Sequence, residues 1–296
     1  MQMNDRDELY VVTGVSGRTG SAAAQALIKA GKRVRVVIRD ASKEAIWSRR
    51  GAEVVLADFT DVEALSRAFS GSYGAYVISP PQYSSDILFE QADAMARNIA
   101  EAVAISQLQK VVALSSIGAD KPKRTGWIAM NRGLETYLSR TEIPVSFLRA
   151  AYFMENWGPL VQAAGHGELP SFLAPLERKI PMIATDDIGR IAAEALCEDW
   201  AKVRILELEG PARYSPMDVA NCVSRALSKS IVPAGLPTSD WPQALSGAGF
   251  SAAALTGFTE MTKGLNSGHI SFAEDSGFDR RAGTISLDAV ISAMVK

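Results

Sequence analysis

The chain has 296 residues, 47% hydrophobic and 22% charged, with a formal net charge of −2. That length suffices for one large core, or a core with a smaller lobe, and the near-neutral balance gives no basic footprint for DNA or RNA. Two cysteines, Cys197 and Cys222, and two distant histidines, His166 and His269, offer no disulfide framework and no zinc-ligand spacing, so no metal is expected.

The polar residues 1–8 do not read as a signal peptide. No apolar run approaches the roughly 18 residues that cross a bilayer, so a cytoplasmic protein without membrane contact is expected. A short apolar run at 9–13 leads into glycines. Ala23, Ala26, Leu27 and Ala30 then fall on one helical face that Gly31 closes, and residues 33–38 form a second strand. The rhythm repeats: a strand at 54–57, a helix to Phe69 opened by Thr60-Asp61-Val62-Glu63 as a capping box, and a strand at 75–79 stopped by Pro80-Pro81. A long helix at 86–106, a strand at 111–115, a helix at 127–140 and a strand at 145–148 follow.

Continuous apolar strands separated by helices predict an α/β fold, a doubly wound parallel (Rossmann) sheet over residues 1–150. Residues 151–296 are expected to form a smaller mixed substrate lobe, with about 180–210 returning to extend the sheet. Ser215 as N-cap and Pro216 at the first position start a helix. The aromatic and glycine-rich segments 150–178 and 236–281 are assigned to the lobe, and Lys121-Pro122-Lys123-Arg124 and Arg280-Arg281 read as solvated loop charge.

Gly14, Gly17 and Gly20 stand between the first strand and its helix. A pyrophosphate approaches backbone closely there, so side chains must be absent, while the helix start offers unpaired N–H donors. Ser16, Arg18 and Thr19 complete this loop. Arg39 stands 19 residues after Gly20, where NAD binders carry an acid. Arg39 and Arg18, with Lys43 near, suit a 2′-phosphate, so NADPH is preferred; Asp40 leaves NADH as the lesser alternative.

With Leu56-Ala57-Asp58-Phe59, Leu114-Ser115-Ser116-Ile117-Gly118-Ala119-Asp120 and Ala151-Tyr152-Phe153-Met154-Glu155-Asn156, the glycine stretch resembles the NmrA-like family of atypical short-chain dehydrogenases. That family includes NADPH-dependent quinone reductases, dye reductases and cofactor-sensing regulators. The resemblance implies that Asp58 and Phe59 border the adenine and that Ile78, Ser79 and Pro80 pass beside ribose and nicotinamide. It also implies that Tyr152, Phe153 and Met154 line the nicotinamide pocket, with Asn156 on the substrate side.

Ordinary short-chain dehydrogenases use a serine and Tyr-x-x-x-Lys, the lysine lowering a tyrosine pKa from about 10. The corresponding stretch here is Trp127-Ile128-Ala129-Met130-Asn131. Many NmrA-like members keep a lysine at the Asn131 position, so this chain departs from that pattern too. Hydride delivery to a quinone yields a phenolate-like product with a pKa of about 10, which asks less of the protein than an alkoxide does. Asn131 or Ser115 would then supply the modest hydrogen bond, and Tyr83, Trp157 and Phe172, with Tyr152 and Phe153, an apolar slot for a flat acceptor. The same aromatic residues read equally well as the core of the lobe. The expected function is an NADPH-dependent reductase of conjugated small-molecule acceptors. The alternative is a non-catalytic NADP(H) sensor acting through a protein partner; a homodimer is compatible with either.

Overall fold

The computed structural model describes residues 8–164 and 167–296; residues 1–7, Gly165 and His166 lie outside the described residues. Six strands and five helices alternate through the first half: β1 (Leu9–Val12), α1 (Arg18–Lys29), β2 (Arg33–Ile38), α2 (Glu44–Ser48), β3 (Glu53–Leu56), α3 (Val62–Phe69), β4 (Gly74–Val77), α4 (Leu88–Ser106), β5 (Lys110–Ser116), α5 (Ile128–Leu138) and β6 (Val145–Ala150). The second half contributes β7 (Tyr152–Phe153), α6 (Gly158–Ala163), β8 (Glu168–Ser171), β9 (Ile180–Ile183), α7 (Thr185–Leu196), β10 (Val203–Glu209), β11 (Arg213–Tyr214), α8 (Pro216–Leu227) and β12 (Val232–Gly235). It ends with α9 (Trp241–Ala244), α10 (Ala252–Ser267), β13 (Asp279–Ala282) and α11 (Leu287–Met294).

The main sheet runs β13-β10-β6-β5-β4-β1-β2-β3, and every pairing in it is parallel. Strand order reverses between β1 and β4, so their carboxyl ends open the crevice in which doubly wound sheets take their ligands. Tyr10, Val11 and Val12 are fully buried because both faces of the sheet are covered. Tyr10 and Val12 join α1 and α7 in one core layer, whereas Val11 faces α3, α4 and α5 in the other. A third core, built on Met154, Trp157, Val161, Val219, Val223 and Leu265, belongs to the lobe, which carries the small sheets β11-β9-β7 and β12-β8.

Three local readings change. Helix α3 is capped by Asp61, whose carboxylate accepts from Ala64 N, one residue later than the predicted box; Thr60 turns instead to Asp58. Arg280 and Arg281 are not loop charge. They sit in β13, an eighth strand of the main sheet, paired with Glu207 at 2.6 Å and Glu198 at 2.7 Å. A buried carboxylate, Asp187 on α7, fixes the chain just after β13 by accepting from Thr284 N and Ile285 N. The third change is α10, a sixteen-residue helix inside a segment that the sequence assigned to the lobe without naming an element. At Ser215 the expectation holds: its hydroxyl accepts from Asp218 N, Asp218 answers to Ser215 N, and Pro216 follows at the first position.

Candidate dinucleotide and acceptor site

Gly14 adopts φ +66°, a left-handed turn that an L side chain would strain. A Cβ on Gly20 would lie 2.4 Å from the Gly14 carbonyl oxygen and 2.6 Å from that of Thr13, so α1 and the end of β1 touch backbone to backbone. Gly17 starts α1 with no side-chain cap and no acid in the first turn, leaving its N–H groups and dipole for an anion. The cradle fits a pyrophosphate. Ile78 closes over Gly14, its side chain occupying the space a Cβ there would need, and Thr13 ties β1 to β4 through Tyr76 O and Ile78 N.

Beyond the loop lies a cleft of about 670 Å³ lined by Val15, Ser16, Ser21, Ile38, Arg39, Asp40, Lys43, Ile46, Trp47, Arg50 and Asp58. Arg39 stands 3.9 Å from Asp58. Hydrogen bonds from the Thr60 side chain and backbone hold the Asp58 carboxyl below its ordinary range. Asp40 spends its carboxylate on Ser42 N, capping the turn before α2. Arg18 does not line this cleft. It points across α1 toward the lobe, 3.5 Å from the Glu155 carbonyl. Six lining residues escaped the sequence reading, Val15, Ser21, Ile38, Ile46, Trp47 and Arg50; Lys43, Trp47 and Arg50 fall at i, i+4 and i+7, a spacing that would have grouped them.

Several predicted ligand contacts are packing contacts instead. Phe59 is buried among the α3 and α4 side chains, with Asn98 donating to its carbonyl. Thr19 is buried with its hydroxyl beside the Tyr76 phenol. Ser79 donates to Met95 sulfur, while Pro80 is half-buried at the loop. Met154 and Trp157 are sealed into the lobe core and line no nicotinamide or acceptor pocket. In the same motif Glu155 anchors α7, accepting from Thr185 N at 2.9 Å and Thr185 Oγ1 at 2.7 Å. Phe153 packs beside the α1 layer, and Tyr152 bonds the exposed Asn156; burial pushes the Tyr152 phenol up.

Ser115 is not available to a reacting group. It is buried on the α5 side of β5, donating at 2.6 Å to Glu135, which also takes two bonds from Arg149 at 2.9 and 2.7 Å. The alternation of β5 decides this: Val111 and Ala113 face α4 and α5, and Ser115 shares their face. The side chain of Asn131, half-buried in the first turn of α5, has no hydrogen-bond partner among the described residues. One turn before it, Trp127 stacks on Tyr83 with centroids 4.0 Å apart and donates from Nε1 to Ala254 O of α10. Phe250, Phe258, Phe172 and Trp241 extend this aromatic wall edge to face. Burial pushes the Tyr83 phenol up to about 12, keeping it protonated through the physiological range.

The parallel sheet with its order reversal, the glycine cradle and the cationic cleft define a Rossmann-type dinucleotide-binding protein. Residues 6–271 match the NmrA-like family, and the chain belongs to it. It is 24% identical over 86% of its length to an NAD(P)H azoreductase from Xenophilus azovorans, covering 86% of that protein. Among solved structures, the Citrobacter triphenylmethane reductase complexed with NADP(H) superposes with a TM-score of 0.81 at 18% identity, over 97% of this chain and 99% of that one. The NADPH-dependent quinone oxidoreductase from Escherichia coli, complexed with NADPH, gives a TM-score of 0.80 at 21% identity, over 97% of this chain and all of the other.

Proposed function

We propose that this protein is an NADPH-dependent reductase that delivers hydride to a quinone, an azo dye or a similar conjugated acceptor without a tyrosine–lysine pair. The observation that carries this reading is the joining of a glycine cradle to a cleft with three cations, Arg39, Lys43 and Arg50, beside the carboxyl ends of β1, β2 and β3. The named activities of the azoreductase, quinone oxidoreductase and dye reductase relatives support the same class of reaction.

Bound NADPH supplies the hydride; the chain supplies position and one or two weak donors. The loop from Gly14 to Gly20 would hold the pyrophosphate, with Ile78 closing over Gly14 beside it. Trp127 occupies the place of the usual tyrosine, but its N–H is committed to Ala254 O. No strong acid therefore stands there. Asn131, with its amide unpartnered among the described residues, donates to the acceptor oxygen or nitrogen as charge builds. A phenolate-like product with a pKa of about 10 needs no more than that, whereas an alkoxide does. Tyr83 and Phe172 present ring surface rather than a titrating group, which favours flat acceptors. NADPH consumption with quinones or azo dyes, set against consumption with simple aldehydes, tests the assignment.

A further inference from the structure

We infer that Arg50, held against the ring of Trp47, is the residue that sets this chain's preference for a 2′-phosphorylated cofactor. The inference rests on the reading of the cleft as an NADPH site and assigns its discrimination to one side chain. The cleft carries three cations and two acids. Arg39 has Asp58 at 3.9 Å, and Lys43 offers a point charge rather than a planar fork. Arg50 has no acidic partner among the described residues. Its guanidinium carbon lies 4.9 Å from the centroid of Trp47, a ring that is itself 4% exposed.

A guanidinium stacked on a fixed indole keeps its plane and its five N–H donors while giving up few rotamers on binding. Charge-assisted, bidentate bonds to a phosphate are what such a fork makes best. Trp47 lies in α2, and Lys43 and Arg50 flank that short helix at its two ends, so the platform and two of the cations meet at the rim of the cleft. Arg18, the other arginine that the sequence offered for this role, is turned toward Glu155 and belongs to the pyrophosphate side.

The experiment is titration of the whole protein with NADPH, NADH, 2′,5′-ADP and ADP, by calorimetry, for the unaltered chain, Arg50→Gln, Arg50→Lys and Arg18→Gln. Denaturation midpoints accompany each titration. Arg50→Gln is expected to weaken NADPH and 2′,5′-ADP by about tenfold or more, with NADH and ADP changed less than about twofold. Arg50→Lys keeps the charge but loses the stack, and falls between. Arg18→Gln leaves the ratio of NADPH to NADH affinity unchanged. If the unaltered chain prefers NADPH and Arg50→Gln keeps that ratio, Arg50 is not the determinant and the inference is overturned. If the unaltered chain binds NADPH and NADH alike, the cofactor reading itself fails and the inference falls with it.

Discussion

Replacing Ser115 by alanine separates a structural role from a catalytic one. The hydroxyl donates at 2.6 Å to Glu135 Oε1, and the same carboxylate receives Arg149 through two bonds. Removing the serine takes away one of these three bonds in a buried setting and leaves the ion pair whole. Hydrogen bonds to charged groups contribute about 1.5–3 kcal/mol; with two bonds still in place the loss should sit near the low end. Glu135→Gln removes the charge beside a guanidinium that is 8% exposed, and breaking a buried pair costs about 3–5 kcal/mol. Because the two side chains share one network, the double variant should lose less than the sum of the single losses. Urea denaturation gives the stabilities, and kcat for NADPH oxidation gives the catalytic readout. Ser115→Ala should lower stability and leave kcat within about twofold, since removing a proton-transfer group would cost a hundredfold or more. A hundredfold fall in kcat with stability unchanged would refute the reasoning and return Ser115 to the reaction.

Gly20→Ala forces a methyl group against the backbone of Gly14 and Thr13. It should destabilise the chain by about 1–3 kcal/mol and weaken NADPH in a binding titration. Asp187→Ala leaves the N–H groups of Thr284 and Ile285 without their acceptor, while Arg190 keeps Glu194 at 2.8 Å. A loss of about 1–3 kcal/mol is expected from the unsatisfied N–H groups, with faster amide exchange at those two residues. Tyr83 ionises near 10 once unfolded and near 12 in the fold. The folded state therefore binds its proton more tightly: the stability this contributes is complete below pH 10 and is lost as pH rises from 10 to 12. Tyr83→Phe should remove that component, measured as the difference between the two denaturation profiles.

Much of this architecture was readable from residue order. The strands β1, β4, β5 and β6 are apolar runs because both of their faces are covered, and Gly14, Gly17 and Gly20 stand at a turn where backbone meets backbone. Strand β13 was unreadable as a strand because its sequence, Asp279-Arg280-Arg281-Ala282, is polar; Glu207 and Glu198 on neighbouring elements neutralise it only once the chain is folded. Helix α10 was hidden by Gly257 and Gly264, which a local reading takes as breakers. Gly257 is needed because Trp127 lies where its Cβ would go, 2.6 Å from the indole Cδ1. At the site, residue type located Arg39 and Lys43 but could not say which way a side chain points. Ser115, Met154 and Trp157 carry plausible chemistry and face the core. Arg50 lay only eleven residues beyond Arg39, yet its place depends on Trp47 turning α2 toward the cleft.

The most direct test of the account is NADPH oxidation by the purified protein, with cofactor binding confirmed by titration, across quinones, azo and triphenylmethane dyes, and simple aldehydes. Hydride transfer guided by Asn131 and an aromatic wall predicts turnover with the conjugated acceptors and none with the aldehydes. Tight NADPH binding with no turnover of any acceptor would contradict it and mark the chain as a protein that senses the cofactor without using it.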